Sequence, residues 1–161
     1  MRFTTKEDIR APADFVFGQL SDFGAFEQAA RQRGAEVLRL DRLERPTVGQ
    51  LWEARIVLRN RQRRLLIEMT DYSPPELLHF SATSDGIAAR FSVELIALAQ
   101  DLTRLALDLD IKPRTVAARL AIQSARLAKG TLKRRFKRRA RNYAFELEDR
   151  FAAAARDARG Q

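Results

Sequence analysis

Hydrophobic and polar residues alternate with a period of two along much of the first 111 residues, which is the spacing of a half-buried β-strand. Turn residues separate the alternating stretches at short intervals, and this favours an antiparallel meander over alternating strand and helix units. One of these turns, Asp85-Gly86, is typical of a tight hairpin. The pattern predicts strands over residues 2–10, 37–42 and 51–59, followed by strands whose inward rows begin at Leu65, Leu78, Phe91 and Leu105.

Helical signals lie on both sides of this meander. Pro12 marks the start of a short helix, because the first turn of a helix does not need the N–H that proline lacks. A second short helix over residues 26–33 ends at Gly34, a residue suited to the left-handed conformation past a helix end. Residues 114–157 are rich in strong helix formers, so this basic C-terminal segment is predicted to be helical almost throughout.

The long C-terminal segment has two apolar stripes that face in different directions. The first stripe contains Val116, Leu120 and Leu127. The second runs from Leu132 to Phe151, about 160° further round the helix axis. One straight helix cannot bury both stripes against one sheet, so we expect a kink or break at Gly130.

These elements predict an α+β fold, in which a curved antiparallel sheet with two short N-terminal helices closes on a long, kinked C-terminal helix. The 161 residues fit a single domain spanning 1–161, a size that buries roughly 70% of the surface of the unfolded chain. The absence of cysteine excludes a disulfide framework and thiolate catalysis. The polar start MRFTTKEDIR and the lack of any run of about 18 apolar residues lead us to expect a soluble cytoplasmic protein.

Positive charge is concentrated in one segment of the chain. Nine of the 30 Lys and Arg residues lie between Arg126 and Arg141, a stretch without Asp or Glu. The other 21 basic residues balance 21 acidic ones, so this segment accounts for the whole net charge of +9. An anionic partner would meet it first. The candidate anion-binding residues are Lys133, Arg134, Arg135, Lys137, Arg138, Arg139 and Arg141.

Three interpretations of this basic segment stay open. A solvated helix face is the simplest, although such faces usually interleave Glu with the basic residues. An anionic membrane surface also attracts an amphipathic basic helix, at about 1 kcal/mol per basic residue. Nucleic acid attracts the same charges through counterion release, but without a sequence-reading motif such binding would be non-specific and sensitive to salt. We place the membrane slightly ahead of nucleic acid.

Two stretches of the sequence have recognisable motifs. The first is Ile9-x-Ala11-Pro12-x-x-x-Val16-Phe17-x-x-Leu20-Ser21-Asp22-Phe23, and the second is Gly49-x-x-Trp52. Together with the order of the elements, they resemble the strand-to-helix transition and the start of the third strand in the SRPBCC superfamily, which includes START domains, Bet v 1-like proteins and the polyketide cyclase/dehydrase family. The resemblance implies the helix-grip fold and a small hydrophobic ligand, such as a lipid or a polyketide-like molecule, between the sheet and the C-terminal helix. It does not determine an activity, since only some members are enzymes.

The concave apolar row of the sheet is the candidate wall of that ligand pocket, although the same residues also suit an ordinary core. Two polar residues of the C-terminal helix are expected to lie over this wall, near the stripe of Val116 and Leu120. The predicted pocket wall consists of Trp52, Ile56, Leu58, Leu65, Ile67, Met69, Phe80, Phe91, Val93, Leu105, Leu107, Leu120, Gln123 and Ser124.

Candidate catalytic residues are few. The single histidine, His79, is predicted on the outer face of its strand, with no second histidine and no cysteine to complete a metal site. Asp108 and Asp110 share a strand face, but it is the polar face, where carboxylates are ordinarily solvated. We therefore expect no catalytic residue, metal or cofactor. A non-enzymatic module for a hydrophobic ligand is the leading hypothesis; a polyketide cyclase-like enzyme and an anion-binding adaptor for membrane or nucleic acid are the alternatives.

Overall fold

Seven strands and four helices make up the part of the chain that the computed structural model describes, residues 1–58 and 60–160. The predicted α+β class is confirmed. The strands are β1 (Arg2–Ile9), β2 (Glu36–Arg39), β3 (Leu51–Leu58), β4 (Arg61–Ser73), β5 (Leu77–Ser84), β6 (Ile87–Ala99) and β7 (Leu102–Pro113). The helices are α1 (Ala13–Leu20), α2 (Phe23–Gln32), α3 (Val116–Arg126) and α4 (Lys129–Arg159). The predicted strand 51–59 extends to Leu58, and Arg59 lies outside the described residues.

All seven strands form one antiparallel sheet in the order β1-β7-β6-β5-β4-β3-β2. From β2 to β7 each strand pairs with the next one in the chain, which confirms the predicted meander. The first strand returns to pair with the last, with Phe3 opposite Leu109. The register shifts between Met69 and Asp71 and near Ala97, and such irregularities increase the bend of a sheet. The result is a concave face that the helices can cover.

Helix α4 covers the concave face and packs against β1 and α1. Its Leu147 is fully buried, as are Leu78 and Leu105 of the sheet. Burying a leucine of this kind stabilises a fold by roughly 1.5–3 kcal/mol. Two alanines of the same helix, Ala140 and Ala144, also face the sheet and are buried. The side of α4 that faces the sheet thus combines small side chains at these two positions with the larger Phe136, Tyr143 and Leu147.

The C-terminal segment is interrupted, but the position predicted for the interruption was wrong. The break falls at Leu127 and Ala128, whereas Gly130 is the second residue of α4. Helix α3 lies against β7 and buries Ala118 and Ile122, while α4 packs against β1. The two helices thus bury different faces against different strands, and the break lies between them.

Polar side chains account for two further differences from the predicted boundaries. The second helix begins at Phe23 because the carboxylate of Asp22 caps it, accepting a hydrogen bond of 3.1 Å from the backbone N–H of Ala25. The strand predicted over 37–42 ends at Arg39 because Asp41 turns the chain, accepting hydrogen bonds from the backbone N–H groups that follow. Both boundaries depend on the hydrogen bonds of a single side chain, which the pattern of hydrophobic residues does not predict.

The Asp85-Gly86 turn is confirmed, and it also connects the sheet to α3. Both residues have positive φ angles, 39° and 78°. The carbonyl of Gly86 accepts a hydrogen bond from the backbone N–H of Arg114. A Cβ atom at Gly86 would lie 2.6 Å from Oγ1 of Thr115, which caps α3 through the N–H of Ala118. Glycine is therefore required here both by its backbone conformation and by the space available.

Replacing this glycine with alanine, Gly86→Ala, should lower the free energy of unfolding by about 1–3 kcal/mol, because the new Cβ strains the left-handed backbone and displaces the cap of α3. Gly130→Ala is the matched control. It lies in a helix where the nearest atom is 3.6 Å away on the flexible side chain of Arg134, so it should be neutral or stabilising by up to about 1 kcal/mol. Urea denaturation of the three proteins measures both effects. Equal stability of Gly86→Ala and the parent chain would contradict the described turn.

Candidate functional site

A cavity of about 490 Å³ lies between the concave face of the sheet and the helices α2 and α4. Its volume is within the range of about 300–1,000 Å³ that small-molecule sites usually have. Apolar side chains form almost all of its wall. The lining residues are Leu20, Phe23, Phe26, Glu27, Ala30, Val37, Trp52, Ala54, Ile67, Leu78, Phe80, Phe91, Val93, Leu105, Leu107, Phe136, Arg139, Ala140 and Tyr143.

Aromatic rings form the part of this wall where α2 meets the sheet. The ring of Phe23 meets Trp52 and Phe80 edge-on, with centroid distances of 5.4 Å and 6.0 Å. Phe80 stacks in turn on Phe91 across the β5–β6 pair, at 6.5 Å. Each such contact contributes about 0.5–1.5 kcal/mol beyond the burial of its area. The cluster holds these four rings in place beside the cavity.

Trp52 is also held by polar contacts. Its Nε1 donates a hydrogen bond of 2.8 Å to Oε1 of Glu27 on α2, and the guanidinium of Arg39 lies 5.3 Å from the centre of its ring. Arg39 is in turn paired with Asp41, at 2.7 Å from Nε to Oδ2. Glu27 therefore contributes the carboxylate of the cavity wall, and this carboxylate contacts two residues of the sheet, Trp52 and Arg39. The sequence prediction missed it, although Glu27 is one turn along α2 from the inward-facing Phe23.

Tyr143 supplies a second polar group that the sequence prediction missed. It lies on α4 in the stripe expected to face the sheet, and its ring lines the cavity. Its hydroxyl oxygen is buried and has no hydrogen-bond partner among the described residues. Burial raises the pKa of this phenol to about 12, so it is neutral and can donate a proton in a hydrogen bond. Leaving a buried hydroxyl unpaired costs about 1–3 kcal/mol.

The cavity continues into a wider groove of about 1,200 Å³ between α2 and α4. Four residues line both spaces and so mark the passage between them: Phe26, Ala30, Arg139 and Tyr143. The groove is rich in arginine. Its charged residues are Arg33, Arg135, Arg138, Arg139 and Arg150, together with Asp22 and Glu146.

Solved structures with the same architecture identify the fold. A START superfamily protein from Mycobacterium smegmatis matches 83% of this chain and 95% of its own, with a TM-score of 0.55 at 16% identity. A protein of Thermus thermophilus matches 96% of this chain and 99% of its own, with a TM-score of 0.63 at 14% identity. The Zhui aromatase/cyclase of Streptomyces sp. R1128 matches 72% of this chain and 70% of its own, with a TM-score of 0.58 at 16% identity.

The chain has the helix-grip fold that these solved structures share. This is the fold that the two sequence motifs implied. Identities of this size establish the fold and leave the activity open. No protein-family model matches the chain, and no curated protein matches it.

Part of the predicted pocket wall lines the cavity. Residues from five strands alternate inward as the period of two requires. The predicted residues that line the cavity are Trp52, Ile67, Phe80, Phe91, Val93, Leu105 and Leu107.

The other predicted wall residues lie elsewhere. Met69 is fully buried in the core, and Leu65 is half-buried on β4. Ile56 lines the outer groove, and Leu58 is exposed near the end of β3. The side chains placed on α3 are all exposed and away from the cavity: Leu120, Gln123 and Ser124. Their placement over the wall was wrong because α3 buries the opposite side, with Ala118 and Ile122, and α4 covers the cavity instead.

The predicted anion-binding residues are all exposed on α4. Three of them, Arg135, Arg138 and Arg139, line the groove, and the others are not part of its lining: Lys133, Arg134, Lys137 and Arg141. Among the described residues, no ion pair involves any side chain of residues 114–141. No helix within 1–58 or 60–160 has the length and apolar character needed to cross a membrane.

The residues considered for catalysis lie outside both spaces. Nδ1 of His79 is 4.0 Å from Oδ2 of Asp71 across the β4–β5 pair, and both side chains are partly exposed. Asp108 pairs with Arg2, and the hydrogen bond from that guanidinium lowers the pKa of the carboxyl. Asp110 lies 3.6 Å from the ammonium of Lys112. These groups are on the polar face, where the sequence pattern placed them.

Asp41 stabilises the connection between β2 and β3, next to Arg39, which contacts Trp52. It accepts hydrogen bonds from the side chain of Arg39 and from the backbone N–H groups of Leu43 (2.9 Å) and Leu51 (2.7 Å). The hydrogen bond from Arg39, together with the two backbone N–H groups, holds the pKa of this carboxyl well below its usual range.

The substitution Asp41→Asn should lower the free energy of unfolding at neutral pH by about 1–3 kcal/mol, because the amide loses the ion pair and part of the acceptor capacity. The folded-state pKa lies below the unfolded value of about 3.9, so the carboxylate stabilises fully above about pH 4 and loses this effect as the pH falls through the folded value. Urea denaturation measures the free energy of unfolding of the two proteins at neutral pH and near pH 2. The difference between them should be smaller near pH 2. A difference that stays constant with pH would contradict this role.

Proposed function

We propose that this chain binds a small hydrophobic molecule, a lipid or a polyketide-like compound, in the cavity between the sheet and α4. The supporting observation is the cavity itself. Protein interiors are packed as densely as organic crystals, with few voids larger than one water molecule. A water molecule occupies about 30 Å³ of the liquid, whereas this void has about 490 Å³. Among the described residues, only Glu27, Arg139 and Tyr143 interrupt its apolar wall, so an apolar occupant gains more there than water does.

Binding rather than catalysis fits the polar groups of the wall. Glu27 already accepts the N–H of Trp52 and lies 3.9 Å from Arg39, so its carboxylate is engaged in holding the wall. A general acid or base needs to reach a substrate proton. The Streptomyces neighbour, whose name describes an aromatase/cyclase, supports a polyketide-like compound as one class of ligand, and the START neighbour is consistent with a lipid.

A substitution that fills the cavity tests this proposal. Ala54 lies on β3 in the cavity wall, and Ala54→Phe should weaken binding of the neutral fluorescent probe N-phenyl-1-naphthylamine by about tenfold or more, because the new ring occupies the space of the ligand. Ala106→Phe is the matched control, since Ala106 lies opposite Lys6 and Glu94 on the other face of the sheet. Fluorescence titration compares the three proteins. A parent chain that does not take up the probe, or equal uptake by all three, would contradict the proposal.

We propose, as a second function, that α3 and the first half of α4 bind an anionic membrane surface. Residues 114–141 contain eleven Lys and Arg and no acidic residue. Three large apolar side chains are exposed along α3 and at the residue that follows it, Val116, Leu120 and Leu127, by 73%, 59% and 93%. An interfacial helix uses both features, since its apolar face enters the boundary between headgroups and acyl chains and its basic residues contact anionic lipids. Nucleic acid would use the charges but not the apolar side chains.

Replacing Lys133, Arg134, Arg135, Lys137, Arg138 and Arg139 with Gln should abolish sedimentation with vesicles of phosphatidylserine and phosphatidylcholine, because each basic residue contributes about 1 kcal/mol near such a surface. Uptake of the neutral probe should persist, which shows that the variant is folded.

Leu120→Gln with Leu127→Gln should weaken the same sedimentation without changing the net charge. Unaltered vesicle binding by the sixfold variant would contradict a membrane role. Binding to duplex DNA that falls steeply with salt and ignores the leucine substitutions would assign the surface to nucleic acid instead.

A further inference from the structure

The groove that adjoins the apolar cavity is rich in arginine. It contains five arginines against two carboxylates, which leaves a net charge of +3. Arg150 is paired with Glu146, at 3.6 Å. The carboxylate of Asp22 accepts the N–H of Ala25 at the start of α2. Within the described residues, the remaining arginines have no ion-pair partner: Arg33, Arg135, Arg138 and Arg139.

The passage itself combines a charge with an unpaired hydrogen-bonding group. Arg139 and Tyr143 are one turn apart on α4, and both line the cavity as well as the groove. The hydroxyl of Tyr143 is buried and has no hydrogen-bond partner among the described residues. A ligand group that accepts hydrogen bonds and has a negative charge would satisfy both side chains at once.

The carboxylate of the cavity wall does not oppose such a ligand. Glu27 is bound to Nε1 of Trp52, and Arg39 lies 3.9 Å from the same oxygen. Its charge is therefore directed towards β2 and β3 and is partly balanced there. Positive charge dominates at the other side of the opening, where α4 passes α2.

We infer that the ligand is an amphiphile with an acidic head group, a carboxylate or a phosphate, whose apolar part fills the cavity and whose head group lies at the passage against Arg139 and Tyr143, within reach of Arg135 and Arg138. This inference rests on the proposed ligand-binding function. The guanidinium fork of arginine matches the oxygens of both head groups, and such charge-assisted hydrogen bonds are about twice as strong as neutral ones. The apolar part supplies the burial, and the head group determines the orientation.

Displacement of N-phenyl-1-naphthylamine at constant ionic strength tests the inference with ligands that differ only in their head group. Dodecanoate, dodecyl phosphate and dodecanol share one apolar chain, so their order of affinity reports the head group alone. The parent chain should bind the two acids about tenfold more tightly than the alcohol. Acetate and inorganic phosphate should not displace the probe, because they lack the apolar part.

Three variants test which residues bind the acidic head group. Arg138→Gln with Arg139→Gln should weaken dodecanoate binding by about tenfold and dodecanol binding much less, because only the acid has a charge that these arginines attract. Arg156→Gln with Arg159→Gln removes the same charge from the exposed end of α4, outside the groove, and should leave both unchanged. Tyr143→Phe should weaken the acids while the thermal midpoint of the free protein stays the same or rises, since an unpaired buried hydroxyl is removed.

Each outcome is decisive. Equal affinity for dodecanol and dodecanoate in the parent chain would overturn the acidic head group and leave the apolar cavity proposal standing. Equal losses in the two double variants would also overturn it, because the effect would then come from net charge rather than from the groove. Failure of the probe and of all three ligands to bind would overturn the cavity proposal together with this inference.

Discussion

The packing of α4 across the concave sheet is the contact on which the rest of the structure depends. Leu147 is anchored in the core, while Ala140 and Ala144 present only methyl groups to the sheet. The small side chain of Ala140 lines the cavity together with the larger Phe136 and Tyr143 of the same helix, across from Phe80 and Phe91 of the sheet. The helix is held close to the sheet edge at β1 and leaves a void of about 490 Å³ beside it. A larger residue at Ala140, which lines that void, would reduce it and with it the candidate site.

Much of the sheet could be predicted from the sequence because a strand has a period of two, and its inward row was unambiguous at positions such as Trp52 and Val93. The C-terminal helices were harder. Helical periodicity identifies an apolar stripe but not its partner, and the stripe of Leu120 is exposed. The polar groups of the cavity were missed for a related reason. Glu27 and Tyr143 belong to the cavity only because of the residues that lie opposite them. Those neighbours depend on how α2 and α4 pack together, which the sequence pattern does not contain.

The same helix takes part in both proposed activities. One side of α4 lines the cavity with Phe136 and Ala140, and the adjoining side lines the groove with Arg135 and Arg138. The charges of this segment are not balanced within the described residues, so they are available to an external anion. A ligand head group at the passage and lipid head groups at a membrane have the same chemistry. Loading of an acidic amphiphile from an anionic membrane would use these two surfaces in sequence.

Native mass spectrometry of the purified protein, gently desolvated after incubation with dodecanoate and followed by denaturing extraction, tests the central claim most directly. We expect a complex of one chain with one apolar molecule, which the extraction releases and identifies. The Ala54→Phe variant should give only the mass of the free chain under the same conditions. A free mass for the parent chain as well, both as purified and after incubation, would contradict the account of the cavity as a ligand-binding site.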